Sequence, residues 1–187
     1  MSATETNNRL ALRLAELREQ QGWSLDTLAQ ATGISRASLS RIERAETSPT
    51  AALLNRLCHA YGVTMSRLLE EVEDETVLLI KADQQTCWHD PDSGFQRRTL
   101  SPPARQFKTE LIEGVLPPGA HIHYDMPPLS GLEQHIWLQK GGLTIVMADQ
   151  RWTLAAGDCL RFHLTGRSAF SADAQAGARY ILAVCKP

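Results

Sequence analysis

Cysteine is scarce and dispersed. Cys58, Cys87, Cys159 and Cys185 form no C-x-x-C pair and have no histidine at zinc-finger spacing, so the chain encodes no disulfide framework. No apolar run approaches the roughly 20 residues of a membrane helix. The polar stretch from Met1 to Asn8 lacks the apolar centre of a secretion signal. These absences predict a cytoplasmic protein with reduced thiols and no membrane partner. An excess of one charge is missing too. A formal net charge of -2 argues against a protein that coats nucleic acid without regard to sequence.

A length of 187 residues suits two domains rather than one small helical one. The composition changes at the acidic run Glu70-Glu71-Val72-Glu73-Asp74-Glu75, after which alternating apolar residues, turns and prolines take over. We therefore expect a helical domain over 1–70, an acidic linker over 71–76 and a second domain over 77–187. Up to Leu69 the charge balance reverses. Arg9, Arg13, Arg18, Arg36, Arg41, Arg44, Arg56 and Arg67 outnumber Glu5, Glu16, Glu19, Asp26, Glu43 and Glu46. The excess is small, so any affinity for a polyanion must come from placed contacts and from dimerisation.

Between Gly22 and Val63, two short segments with helical apolar spacing, Leu25 to Ala31 and Arg36 to Arg44, flank Thr32-Gly33-Ile34-Ser35. Gly33 can take a left-handed backbone, and Ser35 stands where it can cap the second segment. In that segment Leu39 and Ile42 face a core, while Ala37, Ser40, Arg41 and Arg44 lie opposite. Small residues let a helix approach the major groove, and arginines pair with guanine edges or hold phosphates. The pattern is that of a helix-turn-helix.

The residues Leu28-Ala29, Gly33-Ile34-Ser35, Leu39-Ser40-Arg41-Ile42-Glu43 and Ser48-Pro49-Thr50, with Leu54, Leu57, Tyr61 and Val63 after them, closely resemble the XRE-type, phage-repressor-like helix-turn-helix family. The resemblance covers roughly the first seventy residues. It implies five helices, placed here at about Asn8 to Gln21, Leu25 to Ala31, Arg36 to Arg44, Ala51 to Tyr61 and Met65 to Glu70, with Thr64 capping the last. It also implies an internal ion pair between Arg18 and Glu43. The chain departs from the family at Ala45, where glycine usually ends the recognition helix; a non-glycine residue in a left-handed conformation costs about 1 kcal/mol. The DNA-contacting residues implied are Ser24, Ser35, Arg36, Ala37, Ser38, Ser40, Arg41, Arg44 and Thr47. Cys58 falls on the apolar face of the fourth helix and reads as core rather than as a redox sensor.

From Thr76 onward the segments read as strands: Val77 to Ala82, Phe95 to Leu100, Phe107 to Leu116, Ala120 to Tyr124, Gln134 to Gln139, Leu143 to Ala148, Arg151 to Leu154, Cys159 to Leu164 and Arg179 to Cys185. Turns such as Pro117-Pro118-Gly119, Gly141-Gly142 and Ala156-Gly157-Asp158 separate them, as in an antiparallel sandwich or barrel. The order Pro118-Gly119, Glu133 to Gly141, then Trp152 to Asp158 resembles the cupin superfamily over roughly the last hundred residues. The fold class expected is thus α+β with two domains, a five-helix repressor-like domain followed by a cupin-type antiparallel β-barrel. In regulators of this architecture the barrel is taken to sense a small molecule.

Metal-binding cupins resemble one another in an H-x-H pair shortly before a Glu, with a further His later. Here Gln134 takes the Glu position, Pro127 to Ser130 supply no His, and Ser168 takes the later one. His121 and His123 do share one strand face and would ligate a divalent metal if His163 and Glu133 converged with them; otherwise they line a rim. The expectation is a barrel without metal or other cofactor. Its effector pocket is assigned to Arg98, His121, His123, Gln134, Ile136 and His163. Arg97 or Arg98 would clamp a carboxylate, unless both are solvated. Trp88, Trp137 and Trp152 read as core or as cavity lining.

The function expected is a sequence-specific, non-enzymatic transcriptional regulator that binds a palindromic double-stranded operator as a homodimer and answers to a small-molecule effector. Two other classes fit parts of the sequence: a metal-dependent cupin enzyme with an accessory DNA domain, and an antitoxin-type autorepressor.

Overall fold

The computed structural model describes residues 3–69, 78–104 and 107–185. Five helices open the chain: α1 (Ala3–Gln20), α2 (Leu25–Thr32), α3 (Arg36–Glu43), α4 (Ala51–Tyr61) and α5 (Met65–Leu69). Their starts follow from capping. Ser24, Ser35 and Thr50 each sit in extended backbone and accept the amide three residues on, at 3.0, 3.2 and 3.2 Å. Thr64 Oγ1 does the same for Arg67 N at 3.2 Å. Gly33 and Gly62 close α2 and α4 at φ 67° and 63°. The apolar faces meet in one core around Leu14, Leu28, Leu39, Leu54, Leu57 and Cys58, with Trp23 stacked on Tyr61. Among the described residues no helix is long and apolar enough to cross a membrane. The acidic run and the linker expected at 71–76 lie outside the described residues.

A 3-10 turn, Ala82–Gln84, leads into nine antiparallel strands: β1 (Cys87–His89), β2 (Gln96–Ser101), β3 (Thr109–Leu116), β4 (His121–Tyr124), β5 (Leu132–Met147), β6 (Gln150–Ala155), β7 (Cys159–Leu164), β8 (Ser168–Ala172) and β9 (Ala178–Cys185). They form a curled, cupin-like sheet in the order β1-β2-β3-β9-β5-β8-β4, with β6 and β7 also pairing with β5. Leu132, Gln134, Ile136 and Leu138 point inward along β5, while Glu133 and Trp137 point outward, the period-2 alternation of a half-buried strand.

Two strand expectations change, and two strands that were not expected, β1 and β8, appear. The Gly141-Gly142 pair is no hairpin: β5 runs through it unbroken, its first part pairing with β7 and β9 and its last with β6 and β8. A bulge between Leu138 and Lys140 and a left-handed Gly141 (φ 78°) turn the strand from one layer to the other. A Cβ on Gly141 would stand 2.0 Å from the Gly177 carbonyl oxygen, so only glycine fits there. Of the run expected as a strand from Val77 to Ala82, Val77 lies outside the described residues; residues 78–81 are in no strand, and Leu78 and Leu79 are exposed ahead of the 3-10 turn. The short strands β1 and β8 carry too few residues to show a period.

Helices and strands pack against each other along α4. Ala51, Asn55 and His59 recur every four residues and present one side of α4 to the sheet. Ala51 N donates to Asp90 Oδ1 at 3.1 Å, Asn55 Nδ2 to the Met126 carbonyl at 2.5 Å, and His59 Nδ1 lies 2.9 Å from the Pro127 carbonyl. Arg56 reaches Asp125 at 2.8 Å on the same side.

Candidate DNA interface and barrel cavity

The residues expected to face DNA gather around α3. Ser24, Ser35, Arg36, Ala37, Arg41, Arg44 and Thr47 are exposed, and Ser38 and Ser40 are half-buried. Ser24 and Ser35 are occupied as helix caps, and Ser35 Oγ also donates to Ser38 Oγ at 2.8 Å. Arg36 Nε stands 3.3 Å from Asp26 Oδ1 at the start of α2. Arg44 is held by Ser40 Oγ and by Glu46, both at 2.7 Å, and its guanidinium keeps the Glu46 carboxyl below the usual carboxylate range. Both ion pairs are exposed, so giving them up for a phosphate costs little. Arg41 carries no ion pair among the described residues.

The far end of α3 shows the left-handed alanine directly. Ala45 has φ 57°, its amide donates to the Ile42 carbonyl at 3.0 Å, and the Ala45 carbonyl accepts from Asn7 Nδ2 at 3.3 Å. Below α3, Arg18 grips Glu43 through Nε and Nη2 at 2.8 and 3.0 Å and donates Nη1 to the Trp23 carbonyl at 3.0 Å. The implied internal ion pair is present.

Inside the sheet, under α4 and α5, lies a cavity with about 100 Å3 open to the centre of a water molecule. That is room for several water-sized groups. Its walls are apolar, from Phe95, Ile112, Ile122, Ile136, Phe170 and Leu182; its polar groups come from Arg97, Glu110, Gln134, Ser168, Tyr124 and Tyr180. The helices close it with Asn55, Thr64, Met65 and Ser66. Burial pushes the phenols of Tyr124 and Tyr180 well above their ordinary range, so both stay neutral donors. Tyr180 reaches its place because Gly114 opposes it; a Cβ there would meet the ring at 2.2 Å.

Of the six residues assigned to this pocket, Gln134 and Ile136 line it. The other four do not. Arg98 is on the outer pleat of β2, one residue out of phase with Arg97, and pairs there with Glu113, which Arg179 also holds. His121 and His123 are exposed on β4, bonded to Ser171 at 2.8 Å and Asp125 at 3.1 Å, and they line a separate groove beside Thr50 and Asp90. His163 is exposed on β7, 4.0 Å from Glu133, whose other oxygen is 2.8 Å from His135. Glu133 and His163 therefore do meet, but on the outside. Among the tryptophans, Trp88 packs edge-on against Phe95 in the core, and Trp137 faces outward.

The cavity does not suit a metal ion. The two positions that correspond to cupin ligands, Gln134 and Ser168, are both inside it, but they offer an amide and a hydroxyl where transition metals take imidazole or carboxylate. The nearby Arg97 cation opposes a second positive charge, and the imidazoles point elsewhere. Among the described residues no group of three or more His, Cys, Asp or Glu is placed to hold a metal.

Of the two arginines weighed as a carboxylate clamp, the pocket assignment took Arg98 where Arg97 lines the cavity, and it missed Glu110 and the α4–α5 contribution. A signal for Arg97 was available, since Phe95, Arg97 and Thr99 share one strand parity and all three turn inward. Nothing in the sequence signals that Asn55 and Ser66 roof a cavity whose walls come from strands further along the chain, from Phe95 onward.

Comparison with known proteins agrees with this architecture. The helix-turn-helix domain family matches residues 9–71. The chain is 30% identical over 159 residues to the HTH-type transcriptional regulator SutR of Escherichia coli (strain K12), covering 82% of this chain and 81% of SutR. A crystal structure of an HTH_3 family transcriptional regulator from Vibrio cholerae covers 100% of this chain and 99% of its own at 25% identity, with a TM-score of 0.78. The structure of FeII HppE is similar at 16% identity and TM-score 0.51 over 97% of this chain and 100% of its own, a likeness of fold alone. With its helix-turn-helix reader and the curled, cupin-like sheet behind it, the chain belongs to the HTH-type transcriptional regulators.

Proposed function

We propose that this regulator binds a palindromic operator as a homodimer in the cytoplasm. The α3 face, with Arg36, Ala37, Ser40, Arg41 and Arg44, enters the major groove; Ser24, Ser35, Ser38 and Thr47 position it on phosphates. Dimerisation supplies the affinity that one reader of small positive excess lacks. The cupin domain, taken as residues 77–187, holds a small organic effector in its cavity, without metal or other cofactor. One observation carries the sensing role: the roof of the cavity is made by α4 and α5 of the reader itself, so an occupant touches both parts of the chain.

The test has two readings on the full chain. Sedimentation should give a dimer that binds a palindrome selected from random duplexes far more tightly than an isolated half-site. A monomer that binds both alike would end the dimer reading. Mass spectrometry of native protein should find a small organic molecule that is released on unfolding; protein made in its own host and consistently empty would count against effector binding.

A further inference from the structure

We propose that the cavity takes a small organic carboxylate, that its acid group pairs with the Arg97 guanidinium, and that this pairing draws Arg97 off Ser66 and so carries occupancy to the reader. The inference rests on the effector reading above and names the effector's class and the route of its signal.

Arg97 is only 6% exposed and turns into the cavity. Among the described residues the acceptors of its hydrogen bonds are hydroxyls: Nη2 donates to Ser66 Oγ at 2.5 Å and Nη1 to Thr99 Oγ1 at 3.4 Å. Burial presses the guanidinium below its ordinary range, while the charge of Glu110 works the other way. A buried cation is costly unless paired, and neutral hydroxyls are weak and replaceable partners. The planar fork of a guanidinium fits a carboxylate with two parallel hydrogen bonds. Gln134 on β5 and Ser168 on β8 add neutral hydrogen-bonding groups to the same cavity, and the apolar walls suit a hydrocarbon remainder. A phosphate dianion fits less well, because a single guanidinium would have to hold it while Glu110 shares the cavity.

The route follows from what Arg97 holds. Ser66 lies in α5, whose cap Thr64 lies 3.5 Å from Glu110 through its own hydroxyl. Both buried charges of the cavity thus meet the first turn of α5. That helix packs on α1 and α4, α4 packs on α2, and α2 on α3. A carboxylate that takes the Arg97 fork competes with Ser66, so its binding energy differs between the two placements of α5, which is what coupling requires.

The probes are straight-chain monocarboxylates from acetate to octanoate, each with its primary amide and alcohol, titrated into the full chain by melting temperature and calorimetry. Affinity for the selected operator is measured with and without each probe. We expect at least one carboxylate to bind about tenfold or more tightly than its amide and alcohol, and Arg97→Gln to erase that preference. Ser66→Ala is expected to keep carboxylate binding, tightened by loss of the competitor, while the carboxylate's effect on operator affinity shrinks. Should Arg97→Gln not fold, Ser66→Ala still decides the route. Equal binding of acid, amide and alcohol would overturn the carboxylate assignment and leave the effector cavity standing. A Ser66→Ala protein whose operator affinity responds as the parent's does would overturn the route. If no probe of any length binds, the effector cavity and this inference fall together.

Discussion

Arg18 and Glu43 lie 25 residues apart and meet in a two-point ion pair that ties α1 to the end of α3. Both side chains are largely covered, at 16% and 11% exposure. Removing the cation leaves Glu43 half-desolvated beneath the reading helix. Arg18→Ala is expected to destabilise the protein by about 2 kcal/mol, less than for a fully buried pair because water still reaches this one. Urea unfolding measures it, and a loss too small to resolve would show the pair to be incidental.

Arg41 should read a base. It is exposed on the α3 face and, unlike Arg36 and Arg44, makes no close ion pair among the described residues. Arg41→Ala is expected to weaken binding to the selected operator by about 1–3 kcal/mol and to change binding to random duplex much less. Ser24→Ala should weaken both alike. Equal losses on the two DNAs after mutating Arg41 would make it a phosphate contact instead.

Glu113 gives the barrel an acid-sensitive clasp. Burial opposes its charge, but hydrogen bonds from Arg179 and Arg98 prevail and hold the carboxyl below its ordinary range. A depressed folded pKa adds stability that is complete above the unfolded value, near 4.5, and disappears as pH falls through the folded one. Glu113→Gln is therefore expected to cost about 2 kcal/mol at pH 7, discounted because Arg98 and Arg179 are 35% and 43% exposed. Below pH 4 that difference should narrow. Urea midpoints at pH 7 and pH 3 that differ by the same amount would contradict the clasp.

Cys58 should be inert. It is wholly buried in the helical core, and its thiol is pushed up to about 12 by desolvation, so almost no thiolate exists at neutral pH. Iodoacetamide is expected to label the exposed Cys159 in the native protein and to reach Cys58 only on unfolding. Labelling of native Cys58 at a comparable rate would reopen a redox role.

The reader was legible because its signals are local: caps at Ser24 and Ser35, a left-handed Gly33, and a 3.6-residue period through Leu39 and Ile42 all lie within one turn of what they control. The barrel's strands were legible by alternation, but in the doublet Arg97-Arg98 the two side chains are alike, and only the parity shared with Phe95 tells which one turns inward. Gly141 was legible as a glycine and not as a bend, since the oxygen that forbids a side chain belongs to Gly177, on a loop far along the chain. The cavity roof depends on docking between distant segments, and docking leaves no period in either.

The hydrogen bond from Ala51 N to Asp90 sets a limit on modularity. A residue of the β1–β2 turn supplies part of the N-terminal cap of α4, while Thr50 supplies the rest. Chimeras that join this reader to a foreign barrel at the acidic run would keep every helix in sequence, yet lose an anion at the positive end of α4 and the lid fit beneath it. Exchange of barrels among such regulators should therefore succeed only when the Asp90 turn travels with the reader or is matched by the incoming barrel.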